Sequence, residues 1–247
     1  MINIILSGAC GRMGAQVTAL AESRNVKIVA GVDVNPKKDM PYPVYPDFSM
    51  VQEQADAIID FSRPEGLHGL LAFAKEKKMP VVLAATGYNE NDLAAIKEAA
   101  KEIAIFRSAN MSLGVYVLKT LCARAAAMLP EYEIEIIEKH HNQKLDAPSG
   151  TAVMLYDAVA NENSEAVHGR HGRTQKRQPQ EIGMHAIRGG SVAGEHEVGF
   201  YGPGEYITLS HLAQDRSIFA NGALRAAQFI AGQAAGEYDM AALVEGL

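Results

Sequence analysis

The chain has little that could staple or anchor it. Its two cysteines, Cys10 and Cys122, are too few for a disulfide framework, and neither stands in a metal-type pair. No apolar run approaches the roughly 20 residues of a membrane-spanning helix. Excess positive charge is missing as well. A formal net charge of −6 argues against a general affinity for nucleic acid, which needs clustered lysine and arginine. The opening stretch MINIILSGACGRMG has no basic lead-in and runs quickly into glycine, unlike a secretory signal. There is no internal repeat and no low-complexity segment. These absences lead to the expectation of a soluble, cytoplasmic protein without a nucleic-acid or membrane partner.

What is present is ordinary for a folded enzyme or binding protein. With 247 residues, 48% of them apolar and 21% charged, the chain can bury one large core or two modest ones. INIILSG is a β-branched run ending in glycine, the pattern of a buried strand, and RMGAQVTALAES reads as the helix after it. KIVAGVD, ADAIIDFS, PVVLAATG and IAIFRSAN read as further strands. EGLHGLLAFAKEKK and NENDLAAIKEAAKE are the intervening helices, the second capped by Asn89 or Asn91. Alternation of this kind predicts a parallel, doubly wound sheet covered on both faces.

Beyond about residue 111 the rhythm changes. GVYVLKTLCARAAAML is helical, and YEIEIIEKHH alternates Glu133, Ile134, Glu135, Ile136, the period of a half-exposed strand. TAVMLYDAVANE is a helix, and IGMHAIR, VAGEHEVGFYG and EYITLSHLA are closely spaced strands with glycine-rich turns. SIFANGALRAAQFIAGQAA is a long amphipathic helix able to return to the first domain. The expected fold is α/β: residues 1–111 plus 217–247 form a Rossmann-like parallel domain, and residues 112–216 form a second α+β domain on a mixed sheet.

Gly8, Gly11 and Gly14 lie between the first strand and the first helix. Their G-x-x-G-x-x-G spacing departs from the common G-x-G-x-x-G, but the physics is unchanged. Glycine lets backbone N–H groups approach a diphosphate at the positive end of a helix. Arg12 can add a charge-assisted contact. Asp33, ending the second strand, stands where a carboxylate accepts the ribose hydroxyls of NAD. A turn that uses small residues only for packing is the competing reading. Asp33 disfavours the extra phosphate of NADP, whereas Lys37 and Lys38 could offset it or simply form a solvated loop.

The densest chemistry is EKHHNQKLDAPSGTA, residues 138–152. His140 and His141 end a strand, Lys144 follows in a loop, and Ser149 sits where the cap of the next helix belongs. The N–H groups of Gly150 and Thr151 would then face a carboxylate or phosphate. Three readings compete: a metal site, a structural loop, and an anion clamp beside a titrating imidazole. Adjacent histidines on a strand point to opposite faces, and no metal-type spacing is nearby, which counts against metal.

The block EIIEKHHNQKLDAPSGTA resembles the signature of the 4-hydroxy-tetrahydrodipicolinate reductase (dihydrodipicolinate reductase) family. GACGRMG at 8–14, AATG at 84–87, SANMSLGV at 108–115, RGGSVAGEHEV at 188–198 and FANGALRAA at 219–227 follow in the family's order. The resemblance implies reduction of a small cyclic imine dicarboxylate by NADH or NADPH in lysine and diaminopimelate synthesis. It makes His140 and Lys144 catalytic, Lys144 as proton donor, and has His141, Gly150 and Thr151 hold the substrate's carboxylates. Cofactor contacts fall on Gly8, Ala9, Cys10, Gly11, Arg12, Met13 and Asp33, and then on Ala84, Ala85, Thr86, Ser108, Ala109, Asn110 and Met111. It also implies a homotetramer assembled through the second domain's sheet.

Two positions depart from the family pattern. Ala84-Ala85-Thr86-Gly87 replaces the usual Gly-Thr-Thr-Gly, and Met111 stands where some members have phenylalanine. Another amino-acid-pathway dehydrogenase, or an NAD(P)-binding redox sensor, is the alternative. The remaining polar features receive plainer readings. The basic loop 168–177 is expected to be solvated, although it could screen substrate charge or meet a neighbouring subunit. His185, His196 and His211 are expected to be structural, His68 has no assigned role, and Arg216 is a hinge or an ion-pair partner.

Overall fold

The computed structural model describes residues 1–172 and 175–246. They form two compact units, Met1–Ser112 with Arg216–Leu247, and Leu113–Asp215.

The first unit begins β1 (Ile2–Ser7), α1 (Arg12–Ala21), β2 (Val26–Val32), β3 (Val44–Tyr45) and β4 (Ala57–Asp60). It continues α2 (Leu67–Lys77), β5 (Val81–Leu83), α3 (Glu90–Ala99) and β6 (Ala104–Arg107). The second unit comprises α4 (Leu113–Met128), β7 (Glu133–His140), α5 (Gly150–Val159), β8 (Glu165–His168), β9 (Glu181–Arg188), β10 (Gly194–Gly202) and β11 (Glu205–Ala213). The chain then returns to the first unit as α6 (Ser217–Ile230), β12 (Gly236–Tyr238) and α7 (Met240–Glu245).

In the first unit seven parallel strands run in the order β12-β6-β5-β4-β1-β2-β3. Ile4, Ile5, Leu6, Ile58, Ile59, Val81, Val82 and Ile105 are fully buried, as strands covered on both faces require. α3 starts at Asn89. Its side chain accepts from Asp92 N–H while Asp92 accepts from Asn89 N–H, each at 3.0 Å, a reciprocal cap that decides between the two candidate asparagines.

In the second unit five strands run β11-β10-β7-β9-β8. β7 pairs parallel with β9 and antiparallel with β10, so the sheet is mixed. Ile134 and Ile136 face a core with Leu118 and Cys122 of α4, Leu155 of α5, Met184 of β9 and Phe200 of β10. Burial pushes the Cys122 thiol up to about 12, which makes it a packing group.

Four short elements, β3, β8, β12 and α7, were not legible. They run from two to six residues and are too short to show a period. Most described residues of loop 168–177 are exposed, as expected of a solvated loop, but two of its arginines are engaged. Arg170 and Arg177 reach back to Glu135 Oε1 at 3.0 and 3.2 Å, while His185 Nε2 lies 2.8 Å from Glu135 Oε2. Burial alone would raise the Glu135 pKa, but these partners lower it. Arg173 and Thr174 of that loop lie outside the described residues. Among the described residues no helix is long and apolar enough to cross a membrane.

Candidate active site

In the first unit the strand order reverses direction at β1, with β2 on one side and β4 on the other. The crevice at the carboxyl ends of such strands is where open parallel sheets take ligands. The loops leaving β1, β2, β5 and β6 there carry residues 8–14, Asp33, 84–87 and 108–111.

The glycine turn is tight. Gly11 N–H donates to Gly8 O at 3.1 Å. Gly8 has φ +74°, and a Cβ there would lie 2.7 Å from Phe61 O. A Cβ on Gly14 would lie 2.3 Å from Ala9 O. Gly11 caps α1 without any side-chain hydrogen bond, and the first turn carries no acidic residue, so the helix start suits an anion. Asp33 braces this turn: Oδ2 accepts from Cys10 N–H at 2.9 Å and Oδ1 from Asn35 N–H at 3.0 Å. Lys37 Nζ lies 3.3 Å from Cys10 O, which puts its charge beside the glycine turn. These residues fit a dinucleotide: the glycines leave room for a diphosphate, and a carboxylate stands at the end of β2.

The other cofactor candidates divide. Ala84 and Ala85 are half-buried and Thr86 is exposed. Ser108 Oγ donates to Asn110 O at 2.8 Å and Asn110 Oδ1 accepts from Ser112 N–H at 2.8 Å, so the 108–112 turn is held by its own polar groups. The Met111 side chain is only 4% exposed, and its carbonyl fills the space a Cβ on Gly222 would need. Met111 is thus buried, with its backbone against Gly222 of α6.

In the second unit the site grows from strand register. On β7 the inward positions are Ile134, Ile136, Glu138 and His140, so the apolar face ends in two ionisable groups. His196 of β10 stands opposite Glu138, and Arg188 of β9 stands opposite His140. The result is a buried polar cluster. Glu138 is 1% exposed, His140 9% and His196 5%.

One carboxylate organises the cluster. Glu138 Oε1 accepts from Arg188 Nη2 at 2.7 Å and from Ser149 N–H at 3.0 Å. Its Oε2 accepts from Arg188 Nη1 at 2.7 Å and lies 2.5 Å from His140 Nδ1. Burial alone would raise the Glu138 pKa, but Arg188, His140 and the Ser149 N–H lower it. His196 Nε2 lies 3.1 Å from Ser149 Oγ, which in turn accepts from Ala152 N–H at 3.2 Å as the cap of α5. Burial first, and then the neighbouring His140, depress the His196 pKa to about 4, so it is neutral at physiological pH. The structural role expected for His196 is only part of its place, because its ring meets His140 edge-on with centroids 5.1 Å apart.

The loop after β7 is pinned by backbone. His141 N–H donates to Val192 O at 2.8 Å, Asn142 N–H to Gly190 O at 3.2 Å, and Gly189 N–H to His140 O at 2.9 Å. Lys144 Nζ pairs with Asp146 Oδ1 at 2.8 Å, which holds the Asp146 carboxyl below its usual range. A Cβ on Gly150 would meet nothing within 4 Å, so the start of α5 opens onto space. A Cβ on Gly194 would lie 3.1 Å from His140 Nε2, so glycine keeps that nitrogen uncrowded. The arrangement can hold an anion at a helix start while presenting an imidazole and an ammonium. Among the described residues no group of three His, Cys, Asp or Glu side chains could hold a metal ion.

The sequence assigned no site role to Glu138 or Arg188, and only a structural one to His196. A usable signal existed for Glu138: it is the first charged residue on the apolar face of an otherwise alternating strand. Arg188 and His196 carry no such mark, because their relevance depends on register. His68 is exposed and lies 3.7 Å from the buried Asp92. A cavity of about 460 Å³ lined by Arg24, Asn25, Arg225 and Gln228 lies near the amino end of β2, the edge opposite the glycine turn.

Comparison with known proteins adds to this geometry. The family model described as dihydrodipicolinate reductase, N-terminus, matches residues 2–111, and that described as dihydrodipicolinate reductase, C-terminus, matches residues 114–244. The chain is 51% identical to a 4-hydroxy-tetrahydrodipicolinate reductase of Caldanaerobacter subterraneus subsp. tengcongensis, covering 99% of both chains. It is 44% identical to the protein of that name from Staphylococcus aureus, over 96% of this chain and 98% of the other. Its fold is similar to that of a dipicolinate-bound dihydrodipicolinate reductase from Paenisporosarcina sp. TG-14, with TM-score 0.80, 23% identity and 97% of each chain covered.

Proposed function

The chain belongs to the dihydrodipicolinate reductase family, and on that premise we propose that it reduces 4-hydroxy-tetrahydrodipicolinate to tetrahydrodipicolinate at the expense of NADH or NADPH, a step of lysine and diaminopimelate synthesis. The observation that carries this reading is the juxtaposition within residues 138–152. An imidazole braced by a buried carboxylate stands in the same stretch as a helix start that opens onto space at Gly150.

The Gly8–Gly14 turn and Asp33 would hold the dinucleotide, which when bound in its reduced form would supply hydride. Loss of the ring hydroxyl with a hydrogen of the adjacent ring carbon, as water, leaves the conjugated ring; on accepting hydride that ring becomes electron-rich and must take up one proton. Lys144 and His140 supply and manage that proton, a contribution of roughly 10²–10⁴-fold. The N–H groups at the start of α5, with His141, hold a substrate carboxylate and orient the ring. Neutral His196 keeps Ser149 in its capping position, so the clamp faces the anion with its polarity intact.

The first unit acts as the dinucleotide-binding domain and the second as the substrate-binding and oligomerisation domain. Tyr206, Ile207 and Leu212 of β11 are exposed, which supports assembly of a homotetramer through that sheet. Cys10 and Cys122 are unpaired thiols, in keeping with action in the reducing cytoplasm. The test is oxidation of NADH and NADPH with freshly generated 4-hydroxy-tetrahydrodipicolinate. Substrate-dependent oxidation is expected, and its absence with both cofactors would overturn the proposal.

A further inference from the structure

The Glu138 carboxylate is saturated. Three of its donors can only donate: Arg188 Nη1 and Nη2, each at 2.7 Å, and Ser149 N–H at 3.0 Å. The Arg188 guanidinium clasps both oxygens and holds the carboxylate ionised, and an ionised carboxylate can only accept. The fourth neighbour, His140 Nδ1 at 2.5 Å, therefore meets an ionised acceptor and must carry its own hydrogen. That leaves Nε2, beside Gly194, as the nitrogen that exchanges a proton when the ring is neutral.

The same carboxylate reaches the substrate clamp. Its Oε1 accepts the N–H of Ser149, the residue whose Oγ caps α5. Arg188 extends the brace, since Nη2 also donates to Asp146 O at 2.7 Å in the loop between Lys144 and Ser149. One buried side chain thus joins the imidazole to the helix start. Removing its charge would disturb both at once, because Arg188 would lose its counter-ion and Nδ1 its acceptor.

We propose that Glu138 is the positioning residue of this site: through Nδ1 it sets the tautomer and orientation of His140, and through the Ser149 N–H it sets the start of the carboxylate-binding helix. Glu138 itself touches no substrate atom. The proposal rests on the assignment of His140 as a proton-handling group.

Glu138→Gln places an amide where four donors converge. The amide nitrogen must face either Arg188 or Nδ1–H, and the ring can accept from it only by moving its hydrogen to Nε2. The expected result is a fall in kcat of about 10²-fold or more, the scale seen when the partner that orients a catalytic or metal-binding imidazole is neutralised. The dissociation constant for NADPH should be unchanged.

The decisive readout is spectroscopic. In wild-type protein labelled with ¹⁵N-histidine, the His140 signals, identified by their loss in His140→Gln, should show the Nδ1–H tautomer when the ring is neutral. An Nε2–H tautomer in the wild type, which needs no variant to fold, would overturn the positioning role. So would Glu138→Gln with undiminished kcat. Full turnover in His140→Gln would instead overturn the catalytic assignment and leave the tautomer result standing, so the two failures can be told apart.

Discussion

Ser149 Oγ stands between His196 Nε2, at 3.1 Å, and the N–H of Ala152, at 3.2 Å, so a buried histidine on β10 supports the cap of α5. This contact ties the stability of the second unit to the protonation of one ring. His196 is depressed to about 4 by burial and by the neighbouring His140, against 6.5 for an ordinary histidine.

The sign of the pH effect follows. Between about pH 6.5 and 4 the unfolded chain binds the His196 proton and the folded chain does not, so stability rises with pH across that window. The contribution is fully present above pH 6.5 and is lost as pH falls toward 4, amounting to roughly 2 kcal/mol already at pH 5. His211, lowered by burial, adds with the same sign. Urea unfolding at pH 7 and pH 5 should show a clear loss in wild type and a smaller one in His196→Gln. An equal loss in both proteins would rule the effect out.

His140→Gln and Lys144→Ala should each lower kcat by roughly 10²–10⁴-fold, the usual weight of a general acid. NADPH affinity, followed by nucleotide fluorescence, should stay at the wild-type value. Either variant retaining full turnover removes that residue from the chemistry.

At Gly150 a Cβ meets nothing in the folded chain, so Gly150→Ala should be neutral or slightly stabilising, by up to about 1 kcal/mol. The new methyl group would project toward the bound carboxylate. KM for substrate should rise roughly tenfold, the loss of one charge-assisted hydrogen bond, with a melting temperature unchanged or slightly raised. A lowered melting temperature together with unchanged KM would contradict the clamp.

Asp33→Ala removes the acceptor for Cys10 N–H and the carboxylate proposed to meet the ribose. Affinity for NADH should fall, and Lys37, 3.3 Å from Cys10 O, remains to attract the extra phosphate of NADPH. The ratio of NADPH to NADH affinity should rise by about tenfold, one charge-assisted contact's worth. Calorimetric titration of both nucleotides measures this, and a constant ratio would remove Asp33 from cofactor selection.

Much of the architecture can be read directly along the chain. The apolar runs ending in glycine specify strands such as Ile2–Ser7, because burial on both faces demands them. The alternation of Glu133 to Ile136 announces a sheet with one covered face. Gly8 and Gly14 mark a turn that no other residue fits, since a Cβ at either would strike backbone. The pairing of His140 with Lys144 beside a serine-capped helix is also local, and so is visible without coordinates.

The brace beneath those residues is not local. Glu138 meets Arg188 fifty positions later and shares a register position with His196, and nothing in the intervening sequence signals either contact. Strand pairing brought these groups together, and burial then made the pairing consequential, because a charge withdrawn from water must find its partners inside the fold. Residue type and spacing were enough to point to an imidazole beside a serine-capped helix start. Glu138 is a near neighbour of His140 on β7, but the Arg188 that grips it and the His196 that packs beside the ring arrive only through the register of β9 and β10 against β7.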